Sequence, residues 1–240
     1  MKRPVIIALD FPTEQRALAF LDQFPAEMAV TVKIGMELFY AAGPAIVRAV
    51  IARGHDVFLD LKLHDIPNTV EAGMRVIGQL GVRYTTVHAA GGHVMLAAAK
   101  RGLVAGAQAQ GLPAPTLLAI TQLTSTNQQI LNVDQQIPGT VAASAVHYAQ
   151  VAQASGCDGV ICSAQEVGAI HAALGPAFVG ITPGIRPSWA QANDQQRIMT
   201  PAAAAKAGSN GLVVGRPITQ AADPVAAYQR ILTEWSGQHE

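Results

Sequence analysis

A closed (β/α)8 barrel of the TIM type, α/β in class and one domain over residues 1–240, is the fold the sequence predicts. Three observations carry that expectation. Eight short apolar runs rich in β-formers alternate with eight longer stretches of helical character. The spacing is about thirty residues per unit, the size of a βαβ repeat. No composition break or low-complexity linker interrupts the chain. A doubly wound open sheet would share this alternation, but no G-x-G-x-x-G follows the first run, where a dinucleotide fold would carry it.

In chain order, the first strand spans Pro4–Leu9, with a helix over Thr13–Gln23, and the second spans Ala29–Ile34, with a helix over Gly43–Arg53. The third strand, Val57–Leu61, leads to a helix at Pro67–Leu80, and the fourth, Val82–His88, to one at His93–Ala109. Strands at Thr116–Ile120 and Asp158–Cys162 precede helices at Thr140–Ser155 and Ala164–Leu174. The last two, Ala177–Ile181 and Gly211–Gly215, precede Pro201–Ala207 and Pro224–Glu234. Prolines open several of these helices, and Gly54, Gly81, Gly156, Gly175 and Gly208 close others. The one long irregular stretch, Thr182 to Met199, has the length of a functional lid.

Composition narrows the class of function. Sixteen Lys and Arg balance sixteen Asp and Glu, which argues against a nucleic-acid or anionic-membrane partner. Half the residues are apolar and 13% charged, enough for a sizeable core. The apolar share is rich in alanine and only 5% of residues are aromatic, so packed helices are expected rather than a base-stacking platform. No run reaches the length of a membrane span, and the apolar stretch after Met1-Lys2-Arg3-Pro4 is too short for a signal peptide, so a cytoplasmic protein is expected. Cys157 and Cys162 make neither a disulfide framework nor a zinc pattern and read as buried structural thiols on opposite faces of a strand.

Chemistry in such barrels sits at the carboxyl ends of the strands. Here those ends carry Asp10, Lys33, Asp60 with Lys62, His88, Thr121 to Ser125, Ser163, Thr182 to Arg186, and Gly215-Arg216. In a chain with few charges, that concentration marks a site. Asp60 and Lys62, two apart on a strand, should face one way, with Asp65 on the loop beyond. Together with Asp10 and Lys33 they form an Asp/Lys network aimed at one spot. A plain ion-pair network bracing the mouth is the alternative, though buried charge pairs are a poor route to stability. Flanking carboxylates favour the ammonium form of Lys62, which suits a proton donor and not a Schiff base.

The other half of the expected site is a phosphate grip made by Thr182-Pro183-Gly184-Ile185-Arg186 and Gly215-Arg216-Pro217-Ile218, in the seventh and eighth loops. No H-E-x-x-H or His/Cys ligand spacing appears among the seven histidines, so no metal is expected. His64 and His88 read as hydrogen-bonded residues of the mouth, and Gly91-Gly92 as a helix opening. Trp189 either covers a ligand or lies exposed.

The run Asp60-Leu61-Lys62-Leu63-His64-Asp65-Ile66-Pro67-Asn68-Thr69 resembles the signature of the orotidine 5′-phosphate decarboxylase family, type 1 subfamily. Leu9-Asp10, Val32-Lys33-Ile34-Gly35, Leu123-Thr124-Ser125, Thr182 to Arg186, Asn193-Asp194-Gln195-Gln196-Arg197 and Val214 to Ile218 extend the likeness over nearly the whole chain. The resemblance implies conversion of orotidine 5′-phosphate to UMP and CO2, the final step of UMP synthesis, with no cofactor. It implies that Asp10 and Lys33 contact the ribose, and that Asp60, Lys62 and Asp65 form a charged catalytic array joined by Lys33, Lys62 being the proton donor. It places Thr124 and Ser125 near the pyrimidine edge and Arg186, Gln195, Gly215 and Arg216 around the phosphate. It further implies a homodimer in which Asp65 and Thr69 reach the partner's site.

Two other readings compete. Related barrels carry a similar Asp-x-Lys-x-x-Asp strand but use Mg²⁺ on sugar phosphates; there an acidic ligand is expected near the second strand, where this chain has the cation Lys33. A catalytically silent sensor of phosphate ligands would have no need to crowd carboxylates beside an anion.

Overall fold

Alternate residues of each strand enter two separate cores, because successive side chains of a strand point to opposite faces. Ile6, Ala8, Phe58, Tyr84, Leu118, Ile181 and Val213 fill one, inside a closed ring of strands. Their neighbours in sequence, such as Ile7, Val57, Leu59, Leu117 and Leu212, enter the other, between strands and helices. The computed structural model describes residues 3–190 and 199–237. The strands are β1 (Val5–Ala8), β2 (Thr31–Ile34), β3 (Asp56–Leu63), β4 (Tyr84–His88), β5 (Thr116–Ile120), β6 (Gly159–Ile161), β7 (Val179–Thr182) and β8 (Gly211–Val214). All pair in parallel in chain order, and β8 returns to β1 through the register Val5↔Leu212. The predicted closed barrel is the observed one.

The helices are α1 (Glu14–Leu21), α2 (Met36–Ala42), α3 (Pro44–Ala52), α4 (Pro67–Gly78), α5 (Gly92–Ala109), α6 (Val141–Ala154), α7 (Val167–Leu174), α8 (Pro201–Ala207), α9 (Arg216–Thr219) and α10 (Pro224–Ser236). Side chains of Thr13, Thr140, Thr200 and Asp223 cap α1, α6, α8 and α10 by accepting from backbone N–H groups. Helix α2 was not anticipated, because it buries a single residue, Leu38, and so shows little apolar periodicity. It is split from α3 by Gly43, whose φ of +65° lets one helix end where the next begins. The short helix α9 and the π-helical turn Ile130–Asp134 also lay outside the expectation.

Helices α4 and α5 meet along a glycine seam. A Cβ on Gly102 would lie 2.1 Å from the carbonyl oxygen of Glu71, and one on Gly106 2.0 Å from that of Arg75. Backbone thus packs against backbone, and α4 is fixed directly after the loop that leaves β3. Gly106→Ala is expected to cost about 3 kcal/mol, the upper end of overpacking penalties, because the clash is with main chain. Urea unfolding of wild type and variant measures it; a midpoint unchanged by the methyl group would show that the helices part at little cost.

Cys157 and Cys162 are both buried thiols outside any disulfide. Burial, followed by the negative charge of Asp158, pushes the Cys157 thiol up to about 12, which leaves it unreactive at neutral pH.

Candidate active site

Strand β3 departs from ideal geometry where its charges sit. Leu59 pairs with Thr85 and Leu63 with Val87, so four steps along β3 oppose two along β4. Such a bulge re-aims side chains and ends regular pairing. Within it Lys62 has φ +53°, a left-handed conformation rare outside glycine and worth about 1–3 kcal/mol of strain. The simple alternation argued from the sequence therefore does not hold between Asp60 and Lys62. They converge because the bulge turns Lys62 back toward Asp60.

The resulting chain of charge runs across three strands. Lys62 Nζ donates to Asp60 Oδ2 at 2.9 Å, Lys33 Nζ lies 3.7 Å from the same oxygen, and Lys33 Nζ donates to Asp10 Oδ1 at 3.4 Å. Only 10% of the Asp60 side chain and 13% of the Lys33 side chain are exposed, against 64% for Asp10. The array is thus buried at its centre and open at the Asp10 end. The Thr86 hydroxyl, on the inner face of β4, accepts from the Lys62 backbone N–H at 2.9 Å and donates to Asp60 Oδ1 at 2.9 Å. Sequence reasoning missed Thr86; its register, two residues before His88 on the same face, was the available clue.

Two connected cavities open onto this array. The larger, about 580 Å³, is lined by Asp10, Arg16, Lys33, Gly184, Arg186 and Arg216 among others. The smaller, about 170 Å³, has apolar walls from Phe58, Ile120 and Ile161, with Asp60, Lys62 and Thr124 at its polar side. Lys33, Pro183 and Val213 border both. A ligand spanning them would place an anionic group among arginines and a flat apolar group against Lys62. Arg16, from α1, is a lining cation that the sequence did not single out.

The remaining expected residues are distributed as follows. Gly215 lines the larger cavity just before α9, which Arg216 opens. Ser125 is exposed beside Thr124. Asp65 and Thr69 are exposed and border neither cavity; Asp65 Oδ1 accepts from the Ile66 N–H at 2.6 Å. Gln195, with Asn193 and Arg197, lies outside the described residues. The base of the long loop is pinned, since Arg186 N donates to Met199 O at 3.0 Å and Met199 N to Gly184 O at 3.3 Å. Trp189 is half-buried, not exposed, and the Arg230 guanidinium sits 4.8 Å over its ring.

The histidines differ from expectation. His64 and His88 stack, with centroids 5.2 Å apart and planes 19° from parallel, and His88 Nδ1 is buried with no hydrogen-bond partner among the described residues. Burial, then the charges of His64 and Lys62, holds His88 below the usual imidazole range, so its ring is neutral at physiological pH. Cys162, expected to be purely structural, borders the smaller cavity.

The family model for orotidine 5′-phosphate decarboxylase / HUMPS proteins matches residues 3–231. The chain belongs to this family. The orotidine 5′-phosphate decarboxylase of Lactiplantibacillus plantarum is 80% identical over 236 residues, which cover 98% of this chain and 100% of that protein. That of Latilactobacillus sakei is 57% identical over 235 residues, 98% of each. The crystal structure of the Lactobacillus acidophilus decarboxylase superposes with a TM-score of 0.87 at 45% identity, covering 97% of this chain and 99% of that one. The family's barrel persists at 23% identity in the Pyrococcus horikoshii structure, with a TM-score of 0.75 over 97% of this chain and 99% of that one.

Proposed function

We propose that this chain decarboxylates orotidine 5′-phosphate to UMP and carbon dioxide, the last step of UMP synthesis, with neither metal nor organic cofactor. The observation that carries the reading is the contact of 2.9 Å between Lys62 and Asp60 in the wall of an apolar cavity that Lys33 borders in common with an arginine-lined one. The 5′-phosphate would sit with Arg186, Arg216 and the Gly215 backbone, and Gln195, outside the described residues, would be a further phosphate contact. Asp10 and Lys33 would hold the ribose, and Thr124 and Ser125 the pyrimidine edge.

Loss of CO2 breaks the bond at C6 and leaves its electron pair on an sp² carbon that no attached group can delocalise. Stabilisation must then be electrostatic and in place beforehand. The Lys62 ammonium would supply it and then deliver its proton to C6, solvent later restoring the lysine. Asp60 beside the substrate carboxylate would add repulsion of about 4 kcal/mol at contact in an intermediate dielectric, relieved as neutral CO2 departs. Binding of the remote phosphate offsets that repulsion.

Asp65 and Thr69 belong, in this reading, to the neighbouring site of a homodimer. Their exposure supports it, as does the apolar surface on the same side of the barrel: Ile66 is 66% exposed, Met36 46% and Leu123 43%. The whole chain acts as one catalytic barrel domain in the cytoplasm, without nucleic-acid or membrane partners. Among the described residues no helix is long and apolar enough to cross a membrane.

Loss of the orotate absorbance on mixing purified protein with orotidine 5′-phosphate tests the reading, with and without a chelator. The expected result is turnover unaffected by chelation. Inert orotidine 5′-phosphate together with chelator-sensitive activity on sugar phosphates would assign the chain to the Mg²⁺-dependent chemistry that the same barrel can host, and inertness toward both would make it a silent phosphate sensor.

A further inference from the structure

Resting on the decarboxylase reading, we infer that Thr86 is a positioning residue for the reaction: its hydroxyl fixes both the left-handed backbone of Lys62 and the rotation of the Asp60 carboxylate. A hydroxyl has one proton to give and two lone pairs to offer. That of Thr86 gives its proton to Asp60 Oδ1 and accepts the Lys62 N–H, both at 2.9 Å. Asp60 Oδ2 is thereby left to the two ammonium groups, Lys62 at 2.9 Å and Lys33 at 3.7 Å.

Thr86 borders neither cavity and is fully buried, so it acts through its two partners and not on a ligand. Lys62 N–H lies in the bulge, where regular pairing with β4 is lost, and a side-chain oxygen of that strand takes the place of a ladder carbonyl. The strained φ of +53° at Lys62 persists because this bond answers the amide it turns inward. Thr85, the preceding residue, donates its own hydroxyl to the Leu59 carbonyl at 3.0 Å, outside the charged array, and so provides a natural contrast.

Steady-state kinetics of wild type, Thr86→Val, Thr86→Ser and Thr86→Ala on orotidine 5′-phosphate decide the matter, with hydrogen exchange at the Lys62 amide measured alongside. Valine keeps the shape and removes both bonds; serine keeps the bonds. Thr86→Val and Thr86→Ala are expected to lower kcat about 100-fold, as small misplacements of reacting groups do, with KM within about threefold of wild type. The Lys62 amide should exchange faster in both, and Thr86→Ser should return kcat to within about fivefold of wild type. A kcat for Thr86→Val close to that of wild type overturns the inference. So does equal loss in Thr86→Ser, or failure of every variant lacking the hydroxyl to fold, because either makes Thr86 merely structural. An inactive wild type would instead defeat the functional reading on which the inference stands.

Discussion

Replacing Lys62 by alanine is expected to lower turnover of orotidine 5′-phosphate by at least about 10⁴-fold, because one side chain supplies both the nearest stabilising charge and the proton. The geometry supports so large an effect. Lys62 lines the smaller cavity, only 29% of its side chain is exposed, and its carboxylate partner is still more buried. Removing it leaves Asp60 facing the substrate carboxylate with only Lys33 in reach, so binding should weaken as well. The fold should survive, since an alanine keeps the backbone N–H that bonds Thr86 and the main-chain pairing of β3 with β4. Stopped-assay UMP formation measures the rate, and circular dichroism and gel filtration check the protein. Turnover within tenfold of wild type, about 1.4 kcal/mol of barrier, would take Lys62 out of the chemistry.

Replacing Arg216 by alanine should reduce kcat/KM by about 10²–10³-fold, the worth of a charge-assisted bidentate grip on phosphate. The division between the two constants carries the information. If phosphate binding is used to hold the base and its carboxylate against Asp60, kcat must fall together with a rise in KM. A variant with high KM and intact kcat would mean that the arginine binds ground and transition states alike. Guanidinium added to the assay offers a second reading, since a free cation in the vacated space of the larger cavity can restore part of the lost rate without restoring attachment to the barrel.

The barrel was legible because its repeat is written in the most reliable language a sequence has, short apolar runs punctuated by proline and glycine. Boundaries moved by a residue or two at Pro4, Ala29 and Val82, where strand pairing begins later than the apolar run does. Helix α2 was not legible, since seven residues with one buried side chain carry no period. At the site, the identities of Asp10, Lys33, Asp60 and Lys62 followed from their places at strand ends. Their geometry did not: regular alternation cannot foresee a register shift that depends on pairing between β3 and β4. Thr86 escaped notice for the same reason, because a threonine in a strand is ordinary until its partner is known to be an amide turned out of the ladder. Asp65 and Thr69 were legible from the motif alone, and in the folded chain both are exposed and border neither cavity.

The extra length in β3 separates what makes this molecule durable from what makes it reactive. Trimming that strand back to match its neighbour would give a smoother ring with the same inner and outer packing, yet it would strip the mouth of its directed ammonium. An engineer grafting this chemistry onto another eight-stranded scaffold must therefore import an irregularity together with the hydroxyl beside it, and accept a host slightly less stable than the blank one.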